Sequence, residues 1–568
     1  MTRTLLSTVA LVALVASTGV AIAQTASGAY LAARQAAKAN DFDSAASYYT
    51  RALARDPQNV ELMEDMIFAQ LGAGELERAL PIARLMEAQG LRSQAAHMAV
   101  AAEMLQREDY AGFLDRDTSE KGIGPLVDGL LEAWALVGTD DLDAAMAAFD
   151  EISKQQGLRG FALYHKALAL AATGDFDAAE AVLSVDTGLT TITRGSVLAR
   201  AQILSQLGRN EEALEAIQSA FGAEMDPELM AYVAPLSEGQ TLPFTHVRSA
   251  RDGAAEVYYT LAEALRNEAG LNYTLLYGRI AQYLRPEHVD ALLFNAEVLE
   301  ELGQSDLAAD TYRLVPQDHP AFYAAELGRA ASLRRSDKME AAVEVLEQLA
   351  KTYPDVAQVH STLGDVYRQL EDWGGAVESY DTALSLLSEG ARSAWFLHYT
   401  RAISFERLGS WPEAEADFRR ALELRPGQPQ VLNYLGYSLV EKKVKLDEAL
   451  ELIEQAVAAS PDSGYIVDSL GWVLYRLGRY NEAVVHMERA VELMPVDPVV
   501  NDHLGDVYWA VGRFREAEFQ WSRALSFVDE SDPGEAEPDR IRRKLDVGLD
   551  AVLAEEGAPP LQVANDEG

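Results

Sequence analysis

The stretches Val431-Leu432-Asn433-Tyr434-Leu435-Gly436-Tyr437, Val467-Asp468-Ser469-Leu470-Gly471-Trp472 and Asn501-Asp502-His503-Leu504-Gly505-Asp506-Val507-Tyr508 are three copies of one pattern. Their Leu-Gly pairs lie 35 and 34 residues apart. After each comes a turn of Gly or charged residues, then Ala, a large apolar residue and Ala, as in Ala483, Met487 and Ala490 or Ala517, Trp521 and Ala524. A fixed period of this length marks an array of short helix pairs, each too small to bury its apolar face alone. Outward from these copies, thirteen registers start near residues 26, 60, 126, 160, 194, 255, 289, 323, 357, 395, 429, 464 and 498. The eighth position is Ala or Gly in twelve (Ala33, Ala133, Ala167, Ala201, Ala262, Ala296, Ala330, Gly364, Ala402, Gly436, Gly471, Gly505) and Ile67 in the other. The twentieth is Ala in twelve, with Thr274 the exception; the 429 register needs one inserted residue to align Ala449.

This pattern resembles the tetratricopeptide repeat (TPR) family, whose signature runs W-x2-L-G-x2-Y, then A-x3-F, then P. The resemblance implies an all-α solenoid of helix–turn–helix pairs wound as a right-handed superhelix. It would hold about 13 repeats plus one degenerate, with first helices on the concave face and second helices on the convex one. Small residues at positions 8 and 20 let the helices of a pair approach closely. Larger ones, such as Phe149, Tyr312, Phe418, Leu435, Leu470 and Trp521, fill the space between pairs. Gly471→Val should overpack that contact and cost roughly 1–3 kcal/mol. Pro57, Pro286, Pro354, Pro426, Pro461 and Pro495 fall where second helices should stop, because proline disfavours helix in the residue before it.

The departures from period suggest the domain plan. Residues 1–23 read as a signal peptide, with Arg3 in the charged region, an apolar stretch from Leu5 to Ala16, and Ala21-Ile22-Ala23 as the cleavage pattern. Residues 24–227 form an N-terminal array in which 92–125 is degenerate, its second half reading as a loop at 115–122. Residues 228–254, with Pro235, Gly239, Pro243 and Gly253, read as an inserted hinge between two arms. A C-terminal array covers 255–528 and an acidic linker 529–540. A capping helix follows at 541–556, where Ile541, Leu545, Leu549 and Leu553 recur every four residues, and then a disordered tail at 557–568.

Composition excludes several functions. The 568 residues contain no Cys, which removes disulfides, thiolate metal sites, a cysteine nucleophile and a lipid-modified N-terminal cysteine. Asp and Glu number 89 against 48 Lys and Arg, a net charge of −41 that repels phosphate backbones and argues against nucleic acid. No stretch after the leader is long and apolar enough to span a membrane, so the chain is expected to be exported to a bacterial periplasm and soluble there. There is no phosphate loop, dinucleotide fingerprint or nucleophile elbow. The nine histidines form no zinc-ligand pair, and His360, His398 and His503 read as polar residues on first helices. We therefore expect no catalytic residue, no metal and no cofactor: the chain reads as a non-enzyme.

What remains is a surface for contact. The resemblance implies peptide ligands in the concave groove, touching first-helix positions 2, 5, 6, 9, 12 and 13. In the last three repeats these positions include Asn433, Tyr434, Tyr437, Tyr465, Asp468, Trp472, Tyr475, Arg476, Asp502, His503, Asp506 and Trp509. Aromatic rings beside amides and carboxylates are what binding hot spots are made of. Packing between neighbouring repeats is the competing role, for Tyr475 and Trp509 above all. The family's two-point clamp for a terminal carboxylate is absent, because its positions hold Gln430, Tyr434, Tyr465, Ser469, Val499 and His503. The acidic groove residues suit a basic or neutral peptide, or a polar backbone.

The resulting expectation is a protein-binding scaffold of the cell envelope. It resembles long periplasmic TPR adaptors that present substrates to a carboxyl-terminal processing protease, most closely from about residue 357 onward. Those adaptors are commonly lipid-anchored, which this cysteine-free chain cannot be. The alternative is a scaffold for polysaccharide binding or exopolysaccharide export, since rings beside carboxylates can also stack on sugars; no alternating-strand tail accompanies it. The array length predicts at least two ligand regions, one on each side of 228–254. Pairing of copies through ends or convex faces, giving a homo-oligomer, is left open by the sequence.

Overall fold

The computed structural model describes residues 26–116, 122–184, 193–222, 225–388, 390–391, 393–529, 534, 536–559 and 561. The signal peptide, the middle of the 115–122 loop, residues 530–533 and 535 of the acidic linker and most of the tail lie outside the described residues. Within them there are 31 helices and no strand. No helix among the described residues is long and apolar enough to cross a membrane. The chain divides into two compact units between Leu349 and Ala350.

Local rules set the helix pairs. At positions 8 and 20 every Ala, together with Ile67 and Thr274, is fully buried, so each pair closes on its small residues. The turn inside a pair needs one left-handed residue. Gly takes that place at Gly74, Gly174, Gly208, Gly303, Gly409, Gly478 and Gly512, and Asn40, Asp140, Asp337 and Glu371 adopt the same conformation elsewhere. Asp41, Asp141, Asp175 and Asp372 then cap the second helix through its first amides. The residue inserted in the 429 register appears here, where Lys443 and Lys445 are both left-handed. The six inter-repeat prolines all follow the ends of second helices, such as Leu424 before Pro426 and Leu493 before Pro495.

Unit 1 departs from the plan of two arms joined by a hinge. Six first helices, from Ala26–Lys38 to Arg194–Gln206, run in order, and the degenerate repeat keeps only a five-residue second helix, Tyr110–Leu114. The pair Ala250–Leu265 and Leu271–Leu284 then returns onto the first helices of this array. Gly253 lies so close to Trp134 that a Cβ would fall 2.2 Å from the indole. Glu256 accepts from Tyr164 Oη at 2.8 Å, and Tyr273 Oη donates to Gln94 Oε1 at 2.9 Å. Arg279 Nε donates to the Gly72 carbonyl at 3.3 Å, and Tyr283 Oη to Glu77 at 2.7 Å. Twelve of the thirteen residues from Ala250 to Ala262 are buried, so this helix is covered on every side. One apolar core joins both stretches of chain.

Residues 228–254 therefore lie inside unit 1, and the division of the chain falls instead after residue 349. Pro227–Ser237 is a helix. The backbone after it is pinned: Leu242 N donates to Ser205 Oγ at 2.9 Å, Thr245 N to Gln202 Oε1 at 2.9 Å, and Arg285 to the His246 carbonyl at 2.6 Å. The neighbouring helices thus hold the backbone of a segment of which Val247 is buried and the rest is half-buried or exposed.

Unit 2 keeps the regular stack. Ala357–Gln369 touches Ala394–Arg407, and Gly464–Arg476 touches both Pro429–Glu441 and Pro498–Ala510, while successive second helices make no comparable contact, so the first helices line its inner side. The expected capping helix is two helices, Pro538–Val547 and Leu549–Glu555, broken at Gly548 with φ +82°. Ile541 and Leu549 are fully buried against the last repeat, with Leu545 and Leu553 packed beside them.

Candidate partner-binding groove

Three first helices carry the candidate residues: Pro429–Glu441, Gly464–Arg476 and Pro498–Ala510. Spacings of three and four place positions 2, 5, 6, 9, 12 and 13 on one helix face. Six of the twelve, Asn433, Tyr434, Tyr437, Tyr465, Asp468 and His503, line a cavity of about 380 Å³. Tyr465 is 47% exposed, whereas Asn433 is 8% exposed and its Oδ1 has no hydrogen-bond partner. His503 Nδ1 lies 3.0 Å from Asp468 Oδ2. Burial opposes a charge on that imidazole, but Asp468, with Asp502 and Asp506 behind it, outweighs burial and raises its pKa above 6.5.

Four more, Trp472, Tyr475, Arg476 and Asp506, line a second cavity of about 460 Å³. The chain's own C-terminal segment, including Arg540, Leu553, Pro559 and Leu561, forms its other wall. Trp472 is half-buried: its Nε1 donates to Glu441 at 3.0 Å, and its ring stacks on His503 at 4.0 Å and on Tyr475 at 4.9 Å. Tyr475 is buried, as its competing packing role requires, and burial pushes its hydroxyl pKa up.

The last first helix does not present its acids to a ligand. Asp502 and Asp506 both bind the fully buried Lys544 ammonium, at 2.8 and 2.6 Å. Asp506 also accepts from Trp521 Nε1 at 2.9 Å. Trp509 donates to Asp550 at 3.0 Å and packs on Phe514 and Trp521. These three residues anchor the terminal helices. A buried ammonium must be paired, and the end of the stack provides the carboxylates. Lys544 gave no signal in the sequence, since a lysine on an amphipathic helix normally faces water.

Glu406 and Arg407 also line the first cavity. They are positions 12 and 13 of the 395 register, so the same rule applied one repeat earlier would have found them. Glu441, also on its wall, is position 13 of the 429 register and follows from the same rule, whereas Met494 and Asp497 lie outside the six positions.

Unit 1 holds a polar cluster of its own. Glu256 lies 3.1 Å from His288 Nε2 and 3.4 Å from His246 Nε2, and its carboxyl pKa falls well below the ordinary value because the imidazoles overcome burial. The cluster ties the returning helix to the first array. Among the described residues no group of three or more His, Cys, Asp or Glu is arranged to hold a metal.

Sequence models described as tetratricopeptide repeat match residues 36–103, 130–185, 327–393, 399–464 and 466–494, together about half of the chain. A TPR repeat-containing protein of Pseudomonas aeruginosa, PA4667, is 28% identical over 193 residues, which is 34% of this chain and 32% of that protein. Human aspartyl/asparaginyl beta-hydroxylase is 27% identical over 159 residues, 26% of this chain and 21% of that protein. The chain thus spans about a third and about a fifth of these curated relatives. Among solved structures, a chain of the APC/C hetero-tetramer Cut9–Hcn1 aligns over 92% of this chain and 96% of its own, with 14% identity and a TM-score of 0.37. A tetratricopeptide repeat protein from Parabacteroides merdae aligns over 45% and 97%, with 15% identity and a TM-score of 0.37.

Proposed function

Because this chain belongs to the tetratricopeptide repeat family, whose repeats serve protein interaction, we propose that it is a non-enzymatic scaffold holding partner proteins on the first-helix face of its C-terminal unit. One observation carries this placement. The corresponding face of the first array is covered by the chain's own helices 250–284, while the face around Asn433 is open and includes a buried acceptor without a partner. A buried amide oxygen left unpaired is costly, and a ligand donor removes that cost.

In its specific form the scaffold works in the bacterial periplasm and presents substrates to a processing protease. The export signal read at 1–23 and the repeat pattern from residue 357 onward support this form. A photocrosslinking residue at Tyr437 in the full chain, compared with one at Val485, which is 65% exposed on a second helix, tests the placement. Crosslinks at 437 that are absent at 485 and lost in Asn433→Leu are expected; equal yields at both sites would refute it. Among the crosslinked species, a processing protease supports the adaptor form, and glycan-export proteins would replace it with the polysaccharide alternative.

A further inference from the structure

We infer that the cavity around Asn433 receives a Lys or Arg side chain of an extended peptide, an inference that rests on the groove reading above. Three features of the wall select a cationic donor. The first is Asn433 Oδ1, an acceptor without a partner on a side chain that is 8% exposed and lines the cavity. A ligand N–H or O–H donor satisfies it, and a Lys or Arg head carries several N–H groups. The second is charge. The carboxylates of Glu406, Glu441, Asp468 and Asp497 line the cavity against Arg407 and a His503 already paired with Asp468. Lys442 and Arg476 approach Glu406 and Glu441 from outside it at 3.4 and 3.5 Å, so a ligand cation adds to pairs that are long rather than tight. The third is the rings of Tyr434, Tyr437 and Tyr465, whose faces attract ammonium and guanidinium groups. A net charge of −41 adds long-range attraction for basic segments and repels acidic ones.

The test uses the full chain and three end-blocked fluorescent dodecapeptides alternating Ala with Lys, Gln or Glu, titrated by anisotropy. The Lys peptide should bind at least about tenfold tighter than the Gln peptide at low salt, with the advantage shrinking in about 0.5 M salt. Glu406→Gln/Glu441→Gln should reduce that advantage severalfold. Tyr465→Leu alters an exposed ring and leaves the core untouched; it should weaken the Lys peptide about threefold. Asn433→Leu should weaken every peptide that binds. If Lys and Gln peptides bind equally and both weaken in Asn433→Leu, the groove reading stands and the cation preference is overturned. A Lys preference unchanged in all three variants overturns it as well, assigning the attraction to the acidic surface at large. If no peptide binds, or Asn433→Leu changes nothing, the groove reading itself falls.

Discussion

Single residues decide how tightly the pairs close. A Cβ at Gly505 would sit 2.4 Å from the Trp521 indole, and one at Gly471 would sit 2.7 Å from Met487 Cγ. Indole is rigid and thioether chains re-rotate, so Gly505→Ala should cost about 1–3 kcal/mol and Gly471→Ala visibly less, by chemical denaturation. Lys544 poses the opposite problem, since it neutralises two carboxylates at a buried site. Lys544→Met should destabilise the last repeat by about 3–5 kcal/mol at neutral pH. The loss should shrink as pH falls, because burial raises the Asp502 pKa, Asp506 raises it further, and protonation relieves the unpaired charge. In unit 1, burial pushes the Glu263 pKa up to about 7, against an opposing hydrogen bond from Tyr259 and with help from Glu256 and Asp290. The fold thus favours the protonated acid. Its contribution is intact below about pH 4.5 and is lost as pH rises through 7. Glu263→Gln should therefore be more stable than the parent at pH 8, by roughly 1–3 kcal/mol, with the difference shrinking toward pH 4.5 in denaturation curves.

At the scale of elements, the ends of the stack carry what the middle does not need. An interior pair is covered by neighbours on both sides, while the last pair requires a cap with a polar outer face. Pro538–Val547 and Leu549–Glu555 provide it, and Gly548 lets the chain bend because Trp509 packs against that turn. Truncation after Glu537 should unpin Pro498–Ala510 first. Hydrogen exchange should show its amides losing protection before those of Pro429–Glu441; equal protection would show that the cap is dispensable. Most of this was readable in sequence. The period located every pair, the inserted residue of the 429 register and the four-residue spacing of Ile541, Leu545, Leu549 and Leu553. The break at Gly548 was hidden, because an apolar spacing of four looks the same in one long helix or two short ones.

At the scale of the molecule, the return of 250–284 onto the first array changes what can be cut. Residues 24–227 expressed alone would expose the faces that now cover Gly253, Tyr258 and Arg279, so this fragment should aggregate or melt without cooperativity. Residues 350–568 form a compact unit and should fold with a single transition in calorimetry. A cooperative, soluble 24–227 fragment would contradict the shared core. The same return removes the expected second ligand region from that face of the first array and leaves the open groove in unit 2.

The helix pairs, their length, their turns and the small residues between them follow from the repeat pattern alone. Those features depend on neighbours within one period, and local spacing records them. It also placed the candidate residues of the 429 and 464 registers on one helix face, because a helix face follows from spacing alone. Which faces remain free depends on long-range packing. Helices 250–284 cover one, and Lys544, Arg540 and Asp550 engage Asp502, Asp506 and Trp509 at the other end. These contacts join residues far apart in the chain, and a repeat period carries no information about which distant face will meet it.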